Sequence, residues 1–261
     1  MSKLRMLYNS DIWDAASVTS SSESFGSQPD TNVLTDYVGA PWRALSDSAE
    51  WIKFDLGTAT EITQISLLGL SLTAAATVTV EAHTSDSWGA PDLSQVIAIS
   101  TDADSVVYQR LTAYLTANNT KQWWRITFAD AANPSGRIVV GRIKGGAYYE
   151  VPRNIDEGFF VQHADPSEGA QSPGTLAPIR KRTGYRILTV TFSHIVKTQR
   201  RKMEAIFSNV GNNTPLVVGY DPDEGESECS MFCRLLTPLN TAYNMINDFG
   251  QGALVFEEIT S

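Results

Sequence analysis

From Trp51 to about Tyr149 the chain is a series of short apolar runs, WIKFDLG, EITQISLLGL, ATVTVEAHT, QVIAIS, QWWRITFAD and RIVVGRI, separated by turn residues. Val78, Val80 and Ala82 alternate with Thr77, Thr79 and Glu81, the period of a strand with one face buried. Several such strands with no long helix between them predict an antiparallel sandwich or barrel. Ahead of them, residues 17–32 (SVTSSSESFGSQPDTN) lack periodicity and predict an irregular lead-in crossing the sandwich surface.

The pattern changes at 150–184, where apolar runs give way to Pro, Gly and charge, as in a linker followed by a long loop. Beyond it Leu188, Val190 and Phe192 form the apolar face of a strand. Met203, Ile206, Phe207 and Val210 then recur at helical spacing over 198–210, with Gly211 at the position that ends a helix. PLVVGY, SMFCRLL, AYNMIN and ALVFEEI return to strands, so the second half is expected to be a small α+β domain. The expected organisation is a sandwich over 1–149, a linker and loop over 150–184, and an α+β domain over 185–261 with contributions from 150–184. The alternation in 1–148 is expected to close without help from the second half.

At 261 residues the chain exceeds the usual span of one domain, about 100–200 residues, which agrees with two units. Only 19% of residues are charged and 42% are hydrophobic, which excludes a disordered acidic chain, a coiled coil or a collagen-like fibre. The net charge of −9 has the wrong sign for gripping a phosphate backbone, so no nucleic-acid partner is expected. No stretch approaches the ~20 apolar residues of a bilayer span, and the N-terminus lacks a signal-peptide core. The expectation is a soluble protein assembled inside the cell, with no membrane partner. Cys229 and Cys233, the only cysteines, would stand about 13 Å apart on a strand and are expected to be buried thiols.

Residues 40–70, APWRALSDSAEWIKFDLGTATEITQISLLGL, resemble the opening of discoidin-type (coagulation factor 5/8 C-terminal-like, galactose-binding-like) domains, in which a Trp precedes a WIxxDLG strand and an xITxI strand. KQWWRITFAD and VVGRIKGG resemble that family's later strands, so the resemblance covers roughly residues 8–148. It implies a jelly-roll sandwich with Trp51 capping it, Phe54 and Leu56 facing in, and Asp55 with Gly57 turning the chain. The cysteine pair that ties secreted members is missing here, which points to the branch found in bacteriophage tail and fibre proteins. In the second half, the strand RKRTGYRILTVTFSH, a helix ending at Gly, PLVVGYDP and a terminal FEE strand resemble the ring-forming domain of distal and minor tail proteins of long-tailed phages. That resemblance implies a virion structural component assembled in the host cytoplasm. It would be a homo-oligomeric ring, a hexamer by the family's habit, between tail tube and tip complex, with tail tube, hub and tape measure as neighbours and the sandwich displayed outside. The alternative reading is a lectin-like module for host surface glycans.

The chemistry of the residues is consistent with assembly rather than turnover. His83, His163 and His194 are the only histidines and none lies in a catalytic motif, so no enzyme, cofactor or metal site is expected. DPDEGESE at 221–228 superficially resembles a calcium loop but lacks its bidentate Glu at position twelve, and reads as a solvated acidic turn. Residues 180–202 carry eight basic residues and no acid. Arg180, Lys181, Arg182, Arg186, Arg200 and Arg201 on one side, and Asp221, Asp223, Glu224 and Glu226 on the other, are candidate faces of a heterologous subunit interface. Sugar binding would fall to aromatic rings near turns, Trp88, Trp42 and Tyr37, with His83 beside them; packing is an equal alternative for Trp88 and the leading one for Trp42, as a solvated loop position is for His83. Of Trp51, Trp123 and Trp124, at least two are expected in the core.

Overall fold

The structure, a computed structural model, describes residues 3–24, 28–99, 101, 109–115, 117, 119–169, 179–245 and 248–260. The protein is mainly β, with strands over 47% of the chain, 10% helical residues and a single long helix. It divides into two compact units, residues 1–149 with Gly219–Ser230, and Glu150–Val218 with Met231–Thr260.

The first unit is a two-sheet antiparallel sandwich. One sheet runs Ser17–Ser20, Glu50–Glu61, Thr120–Ala129, Thr77–His83, Leu93–Ile97, and the other Arg142–Gly146, Gln64–Leu68, Arg110–Tyr114. Period-2 alternation sends Ile52, Phe54 and Leu56 inward beside Trp124, Ile126 and Phe128, where they meet Ile65, Leu67 and Leu111 of the smaller sheet in one apolar cluster. Trp13, from the short helix Asp11–Asp14, fills the middle of that cluster, its ring 4.5 Å from Phe54 and 6.2 Å from Trp124. A Cβ on Gly145 would lie 2.4 Å from the Trp13 ring, so the strand passes this indole only because the residue is glycine.

Several details depart from the sequence reading. Part of the supposed irregular lead-in, Ser17–Ser20, is an edge strand paired with Ile52–Asp55. Gly57 has φ +71° and donates its N–H to Asp55 Oδ1, but the pair makes a bulge inside the single strand Glu50–Glu61 rather than a turn into the next. The smaller sheet also hides an unexpected strand, Arg110–Tyr114. Its outward residues are polar yet buried. Gln64 Nε2 donates to Ser66 Oγ, which is 3.1 Å from Thr112 Oγ1, and Thr112 in turn meets Ser230 Oγ at 3.0 Å and gives its N–H to Ser227 Oγ. Arg110 Nε adds a bond to the Ser227 carbonyl. Residues 219–230 therefore belong to the first unit together with residues 1–149.

The second unit carries a sheet in the order Leu216–Gly219, Ser230–Leu235, Asp248–Glu258, Tyr185–Ile195, Phe160–Ala164, with Thr241–Met245 also paired to Asp248–Glu258. Leu188, Val190 and Phe192 are buried, as their alternation requires. The helix Lys197–Val210 turns Met203, Ile206 and Val210 inward and stops at Gly211, whose φ of +57° suits glycine. Gln199, also buried, exchanges two hydrogen bonds with the backbone of Arg153. Both cysteines are buried thiols outside any disulfide, but only Cys233 lies in a strand, because Cys229 ends the turn that precedes it.

Candidate functional site

The pleat that buries Ile52 and Phe54 necessarily turns Trp51, Lys53 and Asp55 outward, and the same rule turns out Trp123, Arg125 and Thr127 on the neighbouring strand. Register sets Lys53 opposite Arg125 and Asp55 opposite Trp123, while Thr77–His83 adds Glu81 opposite Arg125 and His83 opposite Trp123. An outer sheet face that would ordinarily be polar thus carries two half-buried indoles. The loop after His83 contributes a third, Trp88.

Charges bind these rings into one surface. Lys53 Nζ sits 5.3 Å from the Trp51 ring centre and 5.7 Å from that of Trp123, which places the two rings no more than about 11 Å apart across one ammonium group. The same ammonium pairs with Asp86 at 2.8 Å, and Asp86 accepts the indole N–H of Trp88 at 2.6 Å. These two hydrogen bonds hold the Asp86 carboxyl below the usual carboxylate range. The Arg125 guanidinium lies 4.6 Å over the Trp88 ring and is anchored by Glu81 at 2.7 Å, with Thr127 donating to the same carboxylate. Further along, Lys121 and Asp92 pair at 2.8 Å and His83 Nε2 stands 4.0 Å from Asp92. Rings fixed by charged neighbours, with carboxylates and ammonium groups beside them, can stack on a flat apolar ligand face and hydrogen-bond its edges.

The residues singled out from sequence separate into two groups. Trp88 and His83 lie on this face. Trp42 does not: it is completely buried against Phe128, its indole N–H donating to the Ser22 carbonyl, because the short strand Trp42–Arg43 is drawn inward by pairing with Val139–Val140. Tyr37 is 71% exposed, in the loop after the 3-10 turn Asp30–Leu34, with its ring beside Gly39. Of Trp51, Trp123 and Trp124, only Trp124 is core, where at least two were expected, and Trp51, expected to cap the sandwich, lies on its outer face. Strand alternation requires this, since Phe54 and Trp124 can face in only if Trp51 and Trp123 face out.

The two charge patches fare differently. Arg186 is 7% exposed, its guanidinium clamped on the Glu258 carboxylate at 2.7 and 3.0 Å, which removes it from any surface. Arg200 pairs with Glu204 and lies 4.8 Å over the Phe249 ring, and Arg182 meets Glu168. Arg180, Lys181 and Arg201 are exposed. Asp221, Asp223, Glu224 and Glu226 belong to the segment that completes the first unit, so the opposed patches do not share one small domain. His194 bonds Asp248 and His163 is exposed on the edge strand Phe160–Ala164. Among the described residues no three His, Cys, Asp or Glu side chains converge as metal ligands, and no helix is long and apolar enough to cross a membrane.

No protein-family model and no curated protein sequence matches the chain. Among solved structures it is similar to the lectin domain of lectinolysin complexed with Lewis b antigen, at 11% identity and a TM-score of 0.40 over 52% of this chain and 94% of the other. A Streptococcus pneumoniae fucose-binding module, SpX-3, aligns at 14% identity and TM-score 0.41 over 54% and 100%. A Clostridium perfringens module, CpGH89CBM32-5, in complex with GalNAc-β-1,3-galactose, aligns at 10% and 0.40 over 53% and 99%.

Proposed function

We propose that the protein is a non-catalytic binding protein whose sandwich recognises carbohydrate on the Trp51–Trp88–Trp123 face. The observation that carries this reading is the placement of three half-buried indoles on an outward sheet face, each held by a cation or a carboxylate. A pyranose presents an apolar face to such rings and hydroxyls to Asp86, Glu81 and Lys53. The test is a glycan array probed with the full chain, followed by calorimetry on the strongest glycan. Trp51→Ala and Trp123→Ala should each weaken binding about two- to tenfold, the range of one aromatic stacking contact. Unchanged affinity in both variants, with the fold intact, would refute the reading.

A second reading concerns the other unit: a phage-tail component, located in the virion, that self-associates into a ring. It is supported by the order of elements, a strand Tyr185–Ile195, a helix closed by Gly211 and a terminal strand Asp248–Glu258, with Arg180, Lys181 and Arg201 exposed. Mass photometry of the full chain should find a closed oligomer that Arg201→Glu weakens. A monomer at tens of micromolar, alone and with tail-tube protein added, would overturn it.

A further inference from the structure

We infer that the sandwich holds a second site, a cleft between loops that takes the carboxylate of an acidic saccharide. The cleft, about 440 Å³, is lined by Arg43, Ser71, Ser135, Arg137 and Val139. Register pairs Arg43 with Val139, and Arg137 lies two residues before Val139, so both arginines border one concavity.

In a chain with net charge −9, a cation is seldom far from an acid. Seven other arginines among the described residues are paired with carboxylates. Arg43 and Arg137 are paired with none among those residues. Arg137 reaches only the Ser24 hydroxyl, at 3.4 Å, and Arg43 Nε is buried with no acceptor. Two unneutralised guanidinium groups in one cleft repel each other. A single carboxylate between them neutralises the pair, because its two oxygens match the parallel terminal N–H groups of an arginine.

The walls are built to stay in place. Asp130, 1% exposed, accepts the N–H and hydroxyl of Thr73 at 2.8 and 2.5 Å, and Asn133 donates to the Ser71 carbonyl at 2.7 Å. Asn133 Oδ1 accepts the Ser135 N–H at 3.0 Å, and Gly136 at φ +61° closes that turn. Asp130 and Asn133 thus brace the loops bearing Ser71, Ser135 and Arg137 from behind, and the buried carboxylate is spent on Thr73 rather than on the arginines. A preorganised pair of guanidiniums with hydroxyls at the rim suits a sugar acid, the hydroxyls meeting the ring and the arginines its carboxylate.

The saccharide half of this inference rests on the carbohydrate-binding reading, whereas the carboxylate half rests on the arginines alone. Full-length protein is titrated calorimetrically with trigalacturonate, with its methyl ester and with sodium sulfate. The wild type should bind trigalacturonate at least about tenfold more tightly than the ester, and Arg137→Gln and Arg43→Lys should each erase most of that difference, as loss of a charged hydrogen bond would. Arg137 is exposed and Arg43→Lys keeps the charge, so both variants should retain the wild-type melt. Equal binding of acid and ester, or full affinity in both variants, would overturn the site. Sulfate binding as tight as trigalacturonate would overturn the sugar and leave an oxyanion cleft. The Trp51 and Trp123 variants, assayed with the ester, report on the tryptophan face separately.

Discussion

The Arg142 guanidinium is completely buried, and what keeps it tolerable is Asp14. One terminal nitrogen donates to Asp14 Oδ1 at 2.5 Å and lies 3.3 Å from Asp36, and the other donates to the Val33 carbonyl at 2.9 Å. Its Nε has no acceptor, and Lys144, 2% exposed, is a second buried cation 3.8 Å from Asp36. Two cations therefore sit inside while their counter-charges, with Asp14 30% and Asp36 42% exposed, sit at the rim. Removing a buried partner costs about 3–5 kcal/mol when the remaining charge is left uncompensated. Asp36 and the Val33 carbonyl still serve Arg142, and Asp14 is partly solvated, so Asp14→Asn should cost about 2–3 kcal/mol, a shift of about 4–12 °C for a unit of this size. Arg142→Met should be milder, about 0–1.5 kcal/mol, since it removes the buried charge and leaves two acids already in contact with water. All six tryptophans lie in the first unit, so tryptophan fluorescence during urea unfolding follows this unit without interference from the other. If Arg142→Met proves more damaging than Asp14→Asn, or if the double variant is no better than Asp14→Asn alone, uncompensated charge is not the governing term.

Gly145→Ala should destabilise the first unit by about 1–3 kcal/mol, because its Cβ would enter the Trp13 ring, and a wild-type urea midpoint would contradict the packing. Burial pushes the Glu50 carboxyl up, but hydrogen bonds from Ser21, Ser22 and Ser46 outweigh it and hold the group below its usual value. The unfolded chain then binds the proton first, so this stability is present above pH 4.5 and is lost as pH falls through the folded value; urea midpoints of Glu50→Gln should fall less steeply with acid than the wild type's. At the alkaline end, burial pushes the Tyr149 phenol up to about 12, so from pH 10 upward the unfolded chain ionises first and stability drops. Tyr149→Phe should remove that part of the loss. Burial lowers Lys144 below 10.5, which works in the opposite direction, so the same titration on Lys144→Met should show a steeper alkaline decline.

Much of the sandwich was legible because one property, alternation, decides both which residues pack and which strands pair. Val78, Val80 and Ala82 are fully buried where the pattern put them, and Leu188, Val190 and Phe192 follow suit in the second unit. Arg110–Tyr114 escaped notice because its two faces are both buried, one by Leu111 and Ala113 in the apolar cluster and the other by Thr112 under Ser227 and Ser230. A polar residue between apolar ones reads as a solvent face. The partners that bury this one lie more than a hundred positions downstream, where they look like an ordinary acidic turn.

The sites were harder to read for a related reason. Aromatic residues in strands are usually assigned to the core, and that prior competed with the alternation at Trp51 and Trp123 even though Phe54 and Trp124 had already claimed the inward positions. Trp42 could be read either way from its place near turn residues, with packing the better choice, and the two-residue pairing with Val139–Val140 draws it inside. The arginine cleft leaves no local trace, since Arg43 comes from a short strand and residues 71, 135 and 137 from loops braced by Asp130 and Asn133. A total of −9 argues against attraction of anions at long range, but beyond about 10 Å that repulsion is screened at 0.1 M salt, whereas two arginines in van der Waals contact with a ligand are not. An acidic protein can therefore select a negatively charged sugar by contact.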